Sequence, residues 1–160
     1  MTFRIDRFAR RVALPLVALA LLVGPLAVAF PGAALAQNTA QDDYNNARNM
    51  LQQSDYTGAV QGFTAAINAD PSLAEAYVGR ATAYMYQGNL DAALQDYNQA
   101  LQLQPNLPEA LYNRGVVLAQ RGDSQGAISD LQRAAELFRD RGDQQTADLV
   151  SNAINTLQQE

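Results

Sequence analysis

The side chains that carry most enzyme chemistry are missing from this 160-residue chain, which contains neither cysteine nor histidine. It therefore has no Ser-His-Asp or Cys-His nucleophile, no thiolate and no disulfide, and it lacks the commonest transition-metal ligands. Asp42 and Asp43 form its one carboxylate doublet, at a predicted helix start where negative charge favours the helix dipole. We expect no enzyme activity, no cofactor and no metal site, and a hydrolase is the weakest hypothesis.

Two arginines are each followed by an aspartate sixteen residues further along the chain. The pairs are Arg80 with Asp96 and Arg114 with Asp130, and the corresponding positions of the preceding segment hold neither partner. Since the two residue types are present or absent together, we predict a structural ion pair between two helices in each case. Pairing of Asp96 with Arg114 is an alternative, but it would leave Arg80 and Asp130 without partners.

The chain repeats with a period of 34 residues, over 40–73, 74–107 and 108–141. Three columns of this alignment hold only small residues, and bulky residues stand between them. The small residues are Ala47, Ala81, Gly115, Ala59, Ala93, Ala127, Ala66, Ala100 and Ala134, and the bulky ones include Phe63, Tyr97 and Leu131. Small residues opposite large ones let helices interlock. Because so short a unit cannot bury its own apolar face, the units must stack into a solenoid.

These columns resemble the tetratricopeptide repeat pattern of tryptophan, leucine-glycine, tyrosine, alanine, phenylalanine, alanine and proline. The resemblance covers about 100 of the 160 residues and is strongest in the second unit. The matching residues there are Tyr77, Ala81, Tyr84, Gly88, Ala93, Tyr97, Ala100 and Pro105. The resemblance, to small exported bacterial members of the family, implies an all-α, right-handed superhelical solenoid of three helix-turn-helix repeats. Arg139 replaces the proline in the third unit, so its second helix should run on.

Each unit is expected to form two antiparallel helices joined by a tight turn. The predicted N-caps of the second helices are Asp55, Asn89 and Asp123. Gly88 and Gly122 precede two of these caps, where a left-handed conformation closes the previous helix, whereas Ser54 makes the first turn the most strained. The predicted helices span 41–53, 56–69, 74–87, 90–103, 108–120 and 124–139.

The turn sequence Arg-Gly-Asp of 121–123 occurs again at 141–143, twenty residues later instead of 34. This second turn predicts a seventh helix within 142–160. Its predicted apolar face consists of Leu149, Val150, Ala153, Ile154 and Leu157. A terminal helix with one apolar face can cap the last repeat of a solenoid, and an amphipathic helix that binds a partner is the alternative.

Residues 1–36 resemble a cleavable signal peptide. Four arginines precede an uncharged run at 12–30, and Ala34-Leu35-Ala36 supplies a cleavage site that would leave Gln37 first. An uncleaved anchor is the alternative. We expect general secretory export to the periplasm or outside the cell, or to the thylakoid lumen of a photosynthetic source, with a short disordered linker at 37–41 before the repeats at 42–141.

Removal of the signal would make the chain strongly acidic. Taking four arginines and Asp6 from 11 basic and 16 acidic residues leaves 7 and 15, a net charge of about −8. Such a surface repels nucleic acid and anionic lipid, so we expect neither a nucleic-acid nor a membrane partner after cleavage. The charge serves either solubility or the selection of a basic partner.

The resemblance implies a concave groove, lined by the first helix of each unit, that binds a partner segment. The groove columns hold Gln41, Tyr44, Asn45, Arg48, Gln52, Glu75, Val78, Thr82, Met85, Tyr86, Glu109, Tyr112, Asn113, Val116 and Gln120. Tyrosine and asparagine offer rigid contact area and adaptable hydrogen bonds. The chain departs from the carboxylate-clamp subclass of the family, which binds an acidic C-terminus. The clamp columns of that subclass hold a single cation here, Arg48, and a carboxylate, Glu109, in place of a lysine.

We therefore expect a neutral or mildly basic extended segment of a protein as the partner, and a scaffold or assembly factor as the function. Self-association into a homo-oligomer is the alternative.

Overall fold

A computed structural model describes residues 31–159, with side chains described from residue 39 onward, and this part of the chain contains seven α-helices and no strand. The helices are α1 (Pro31–Gln52), α2 (Tyr56–Ala69), α3 (Ala74–Tyr86), α4 (Leu90–Leu103), α5 (Pro108–Gln120), α6 (Ser124–Asp140) and α7 (Gln144–Leu157). The pairs α1–α2, α3–α4 and α5–α6 form the three predicted units. The all-α solenoid is confirmed.

The turns have the predicted chemistry. The side chains of Asp55, Asn89, Asp123 and Asp143 each accept a hydrogen bond from a backbone N–H three residues on, at 2.9, 3.3, 2.9 and 3.0 Å. Gly88, Gly122 and Gly142 have φ values of 78°, 83° and 80°. Ser54, at φ 62°, is the one non-glycine residue with positive φ in the described chain. The first turn therefore carries the backbone strain, as predicted.

Small residues let consecutive helices pack closely. Ala59, Ala93 and Ala127 are fully buried, and Phe63 and Tyr97 fill the space beside them. The core continues from the second unit into α7, while a smaller cluster joins the first unit to α3.

Gly79 of α3 lies against the ring of Phe63 in α2, and a Cβ at this position would collide with that ring. The missing side chain therefore sets how closely α3 approaches α2.

The first helices lie on the inner side of the array. Helix α3 contacts α5 directly, whereas no comparable contact joins α2 to α4 or α4 to α6. Neighbouring helices are closer together on the inside of a curved array than on the outside. The inner face is therefore built by α3 and α5, and α1 is assigned to it as the first helix of its own unit.

The start of α1 differs from its prediction. Because α1 begins at Pro31, residues 37–41 are helical and do not form a disordered linker. The stretch from 33 to 41 is alanine-rich and contains no glycine or proline, so it favours a helix, and proline is well suited to the first helical position.

The basic start and the apolar run of the expected signal peptide lie outside the described residues. Within the described ones, none of the helices has the length and apolarity needed to span a bilayer.

The last two helices follow their predictions except at one residue. Helix α6 has 17 residues against 14 in α2 and in α4, consistent with the missing proline at Arg139. Helix α7 buries Val150 and Ile154 but leaves Leu149 63% exposed. Successive residues point about 100° apart around a helix, so Leu149 turns away from the face that α6 covers. The predicted apolar face was too wide at this position.

Candidate functional site

The arginines beneath the inner face form the predicted ion pairs. Arg80 donates to Asp96 from Nε at 2.7 Å and from Nη2 at 2.8 Å, and Arg114 donates to Asp130 at 2.6 and 2.8 Å. Both aspartates are buried. Hydrogen bonding to the aspartate raises the pKa of each arginine, against the opposing effect of burial. The bidentate geometry fixes the two helices of a unit against each other.

Each arginine also reaches back to the preceding unit. Nη1 of Arg80 donates to Oγ1 of Thr64 at 3.1 Å, and Nη1 of Arg114 donates to Oδ1 of Asn98 at 2.7 Å. The alternative pairing of Asp96 with Arg114 does not form. The first unit has Asn46 in the arginine column and Gly62 in the aspartate column, so it forms no equivalent ion pair.

Sequence analysis missed Thr64 and Asn98, although both are polar and stand 34 residues apart in one column. With their guanidinium groups held from both sides, Arg80 and Arg114 have a structural role and bring no free charge to the inner face.

A polar cluster joins the second and third units on the inner face. Thr82 donates from Oγ1 to the carbonyl oxygen of Val78 at 2.8 Å, so at 3.0 Å the Tyr97 hydroxyl acts as donor to Thr82. Asn113 donates from Nδ2 to the same Thr82 oxygen at 3.5 Å. Tyr97 is completely buried, and this burial raises its pKa to about 12. The structure thus brings together two predicted groove residues and one predicted core residue, from α3, α4 and α5.

The α1 end of the inner face is aromatic. The ring centroid of Tyr44 lies 5.7 Å from that of Phe63, and Cζ of Arg48 lies 6.0 Å from the Tyr44 ring centroid. Between residues 39 and 159, Arg48 is the one arginine that makes no hydrogen bond. Gln41 donates to the predicted groove residue Asn45 at 3.4 Å. This end therefore offers an aromatic surface with a single accessible cation.

The α5 end is close to neutral. Glu109 pairs with Arg141, which reaches it from the end of α6 at 2.9 Å, so the glutamate in the clamp column already has a cation. Tyr112 is 38% exposed, and Asn113 and Val116 are half-buried beside it. This end combines an exposed aromatic ring with an amide.

The remaining predicted groove residues divide into three groups. Val78 and Met85 pack against the core, and Glu75 is half-buried. Gln52 and Gln120 are exposed at the ends of α1 and α5.

Tyr86 is different from these residues, because it stacks on Tyr56 at the start of α2, at the turn edge of the array. The groove columns therefore do not form one continuous surface.

Comparisons with known proteins agree with this architecture. A family model described as TPR repeat matches residues 81–122, and one described as Tetratricopeptide repeat matches 108–141. No curated protein matches the chain.

Solved structures with similar folds include the TPR2B domain of yeast Sti1 in complex with pHsp70, with a TM-score of 0.71 at 21% identity over 76% of this chain and 97% of that one. The Yersinia enterocolitica chaperone SycD with a peptide of the translocator YopD has a TM-score of 0.71 at 22% identity, over 76% and 93%. The first TPR of Spaghetti (RPAP3), bound to an HSP90 peptide, has a TM-score of 0.69 at 22% identity, over 77% and 93%. Identities this low establish the fold alone.

With three helix-turn-helix units in phase and two matching repeat models, the chain is a tetratricopeptide repeat protein.

Proposed function

We propose that this chain is an exported interaction module that holds an extended segment of a partner protein on the inner face of α1, α3 and α5, as a scaffold or assembly factor without catalysis. The observation that carries this proposal is the Thr82–Tyr97–Asn113 cluster, which places hydroxyl and amide groups between two units, with the exposed ring of Tyr112 on the same helix as Asn113. Aromatic rings beside adaptable hydrogen-bonding groups are typical of protein-binding surfaces.

The similar structures support a peptide as the ligand. The Sti1 domain was solved in a pHsp70 complex, and SycD was solved with a peptide of YopD. A peptide on the inner face of this chain would cross α1, α3 and α5.

The charges on the inner face favour a neutral or mildly basic segment. Arg80 and Arg114 are held by aspartates and Glu109 is paired with Arg141, which leaves Arg48 as the accessible cation. An acidic C-terminus would find little to bind it, and the acidic surface of the chain would repel it.

Site-specific photo-crosslinking in the native envelope tests the proposal. A photoreactive side chain in place of Tyr112 should crosslink to one dominant protein, and the same group in place of the exposed Gln132 of α6 should not. Asn113→Ala, added to the variant that carries the crosslinker at position 112, should weaken the crosslink. Equal crosslinking from both positions, or none from position 112, would contradict a groove ligand.

Export is a separate part of the proposal, supported by the basic start, the uncharged run and the Ala-Leu-Ala site of residues 1–36. Intact-mass analysis of the protein from the envelope fraction should give a chain that begins at Gln37. A full-length mass that fractionates with membranes would favour an anchored adaptor.

A further inference from the structure

A second surface lies where the first and second units turn. Tyr86, at the end of α3, stacks on Tyr56, at the start of α2, with ring centroids 5.1 Å apart and planes inclined by 16°. Tyr86 is 58% exposed and Met50 is 38% exposed. Met50 and Asp55 meet over Gly58, where a Cβ would lie 3.0 Å from Met50 Sδ and would collide with the Asp55 carboxylate. We call Met50, Asp55, Tyr56 and Tyr86 the edge patch.

No cation of residues 39–159 pairs with the carboxylate of the edge patch. Oδ1 of Asp55 accepts the N–H of Gly58 at 2.9 Å, and Oδ2 has no donor within residues 39–159. The neighbouring contact between the two units is also neutral, because Gln87 donates to the Thr57 hydroxyl at 3.3 Å. The edge patch therefore combines a flat aromatic surface, a thioether and an unneutralised negative charge.

The equivalent edge one unit further on is closed by an arginine of the chain itself. Arg121 occupies the column of Gln87 and forms an ion pair with Asp91, which occupies the column of Thr57. Leu90 and Gln120 stand there in place of the two stacked tyrosines. The repeated edge thus accommodates a guanidinium at the second junction, while the first junction has the aromatic surface and the carboxylate but no cation.

We propose that the edge patch binds an arginine side chain of a second protein, stacked on the exposed face of Tyr86 and paired with Asp55. A guanidinium is planar and weakly hydrated, so it stacks on aromatic rings while donating to a carboxylate, which an ammonium does less well. The excess of acidic residues over basic ones, 16 against 11, attracts a basic partner to this surface. This inference does not depend on the inner face or on the partner bound there.

Short blocked peptides provide the test. Isotope-labelled protein is titrated with acetyl-Gly-Arg-Gly-Arg-Gly-amide and with matched peptides that carry lysine or glutamine in place of arginine, and binding is followed by NMR at the tyrosine rings. The arginine peptide should shift the signals of Tyr56 and Tyr86 and bind roughly five-fold more tightly than the glutamine peptide, with the lysine peptide between them.

Two variants locate the interaction. Asp55→Asn keeps the helix cap, because asparagine caps as well as aspartate does, and it removes only the charge. Asp55→Asn and Tyr86→Ala should each weaken binding of the arginine peptide by about five-fold. Gln132→Ala, at an exposed position of α6 outside both surfaces, should leave binding unchanged.

Equal binding of the arginine and glutamine peptides would overturn the proposal. So would signal shifts confined to Tyr112 and Asn113, or full binding by both edge-patch variants.

Discussion

At the scale of single residues, the arginine column connects three helices through one side chain. Arg114 binds Asp130 in its own unit and Asn98 in the unit before it, and Arg80 makes the equivalent contacts. The usual leucine at this position would fill the same space through packing that has no directional preference. A guanidinium instead needs hydrogen-bond acceptors at fixed positions around it. We infer that the column fixes the register between units in addition to the packing.

Replacing Arg114 or Asp130 alone with alanine should lower the free energy of unfolding by about 1 to 3 kcal/mol, because each leaves a buried polar or charged partner behind. The double variant should lose less than the sum of the two, since the leftover charge is removed as well. A double-mutant cycle by urea unfolding measures this coupling, and Arg80 with Asp96 should behave alike.

Arg133→Ala provides the control, because its pair with Glu136 is exposed and should contribute less than about 1 kcal/mol. Strictly additive losses for Arg114 and Asp130 would show that their contact adds no coupling energy.

The buried hydroxyl of Tyr97 predicts a loss of stability in alkali. Its pKa is raised from 10.0 to about 12 in the folded protein, so the unfolded chain loses this proton first as the pH rises. The stabilising contribution is complete below pH 10 and is lost as the pH approaches 12.

Between about pH 9 and about pH 11, the wild type should lose roughly 1 kcal/mol more than Tyr97→Phe in urea unfolding. The chain contains no lysine that would titrate in the same range. Identical pH profiles for the two proteins would mean that the hydroxyl is not protected by burial.

At the scale of helices and turns, local signals were sufficient wherever a turn residue and a periodic apolar face agreed. The ends of α2 to α6 fall within one residue of their predictions because a cap, a glycine or a proline marks them. The start of α1 has no such mark near residue 41, so its helix continues back to Pro31. The exposure of Leu149 depends on where α6 lies against α7, which is tertiary information that periodicity does not contain.

Helix α7 should stabilise the array through its buried face. Val150→Ala should cost about 1 to 3 kcal/mol, and Leu149→Ala should change stability by less than about 0.5 kcal/mol. Deleting residues 143–160 should cost several kcal/mol, at roughly 25 cal/mol per Å² of apolar surface exposed, and should promote aggregation.

Urea unfolding measures the free energy of unfolding of these variants. A chain truncated after Leu157 is the control. A deletion variant as stable and soluble as the wild type would favour the alternative, in which α7 binds a partner.

At the scale of the whole molecule, the two ends of the solenoid are polar. Asp42 and Asn49 are exposed on α1, whereas the residues in the same columns of the second unit, Ala76 and Ala83, are fully buried. At the other end, α7 exposes Asp148 among other polar residues. Among the side chains described from residue 39 onward, α1 and α7 expose mainly polar residues, with Met50 and Leu149 as the large apolar exceptions, so neither helix offers a broad apolar surface on which a further unit would stack.

The protein should therefore be a monomer, and light scattering after size-exclusion chromatography should give the mass of one chain. The double variant Asp42→Ala with Asn49→Ala gives the first unit the alanines that the second unit has in these columns. It should promote end-to-end association. A wild-type mass of two or more chains would support the self-association alternative.

Much of the inner face could also be predicted, since several of the predicted groove columns lie on the first helices that supply it. The periodic pattern could not show that Tyr97 reaches Asn113 through Thr82, because that contact joins three helices of two units. Nor could it show that Tyr86 stacks on Tyr56 at the edge. Contacts between units depend on their spacing and twist, which a column alignment does not contain.

The most direct test of the central claim is the affinity of the partner segment that crosslinks at position 112, measured by calorimetry as a synthetic peptide against the wild type and two variants. Asn113→Ala should weaken binding by about ten-fold or more, because it removes a hydrogen-bonding amide from the proposed contact surface. Gln132→Ala on α6 should leave the affinity unchanged. Equal affinity for the wild type and Asn113→Ala would contradict the account, because the segment would then bind somewhere other than the inner face.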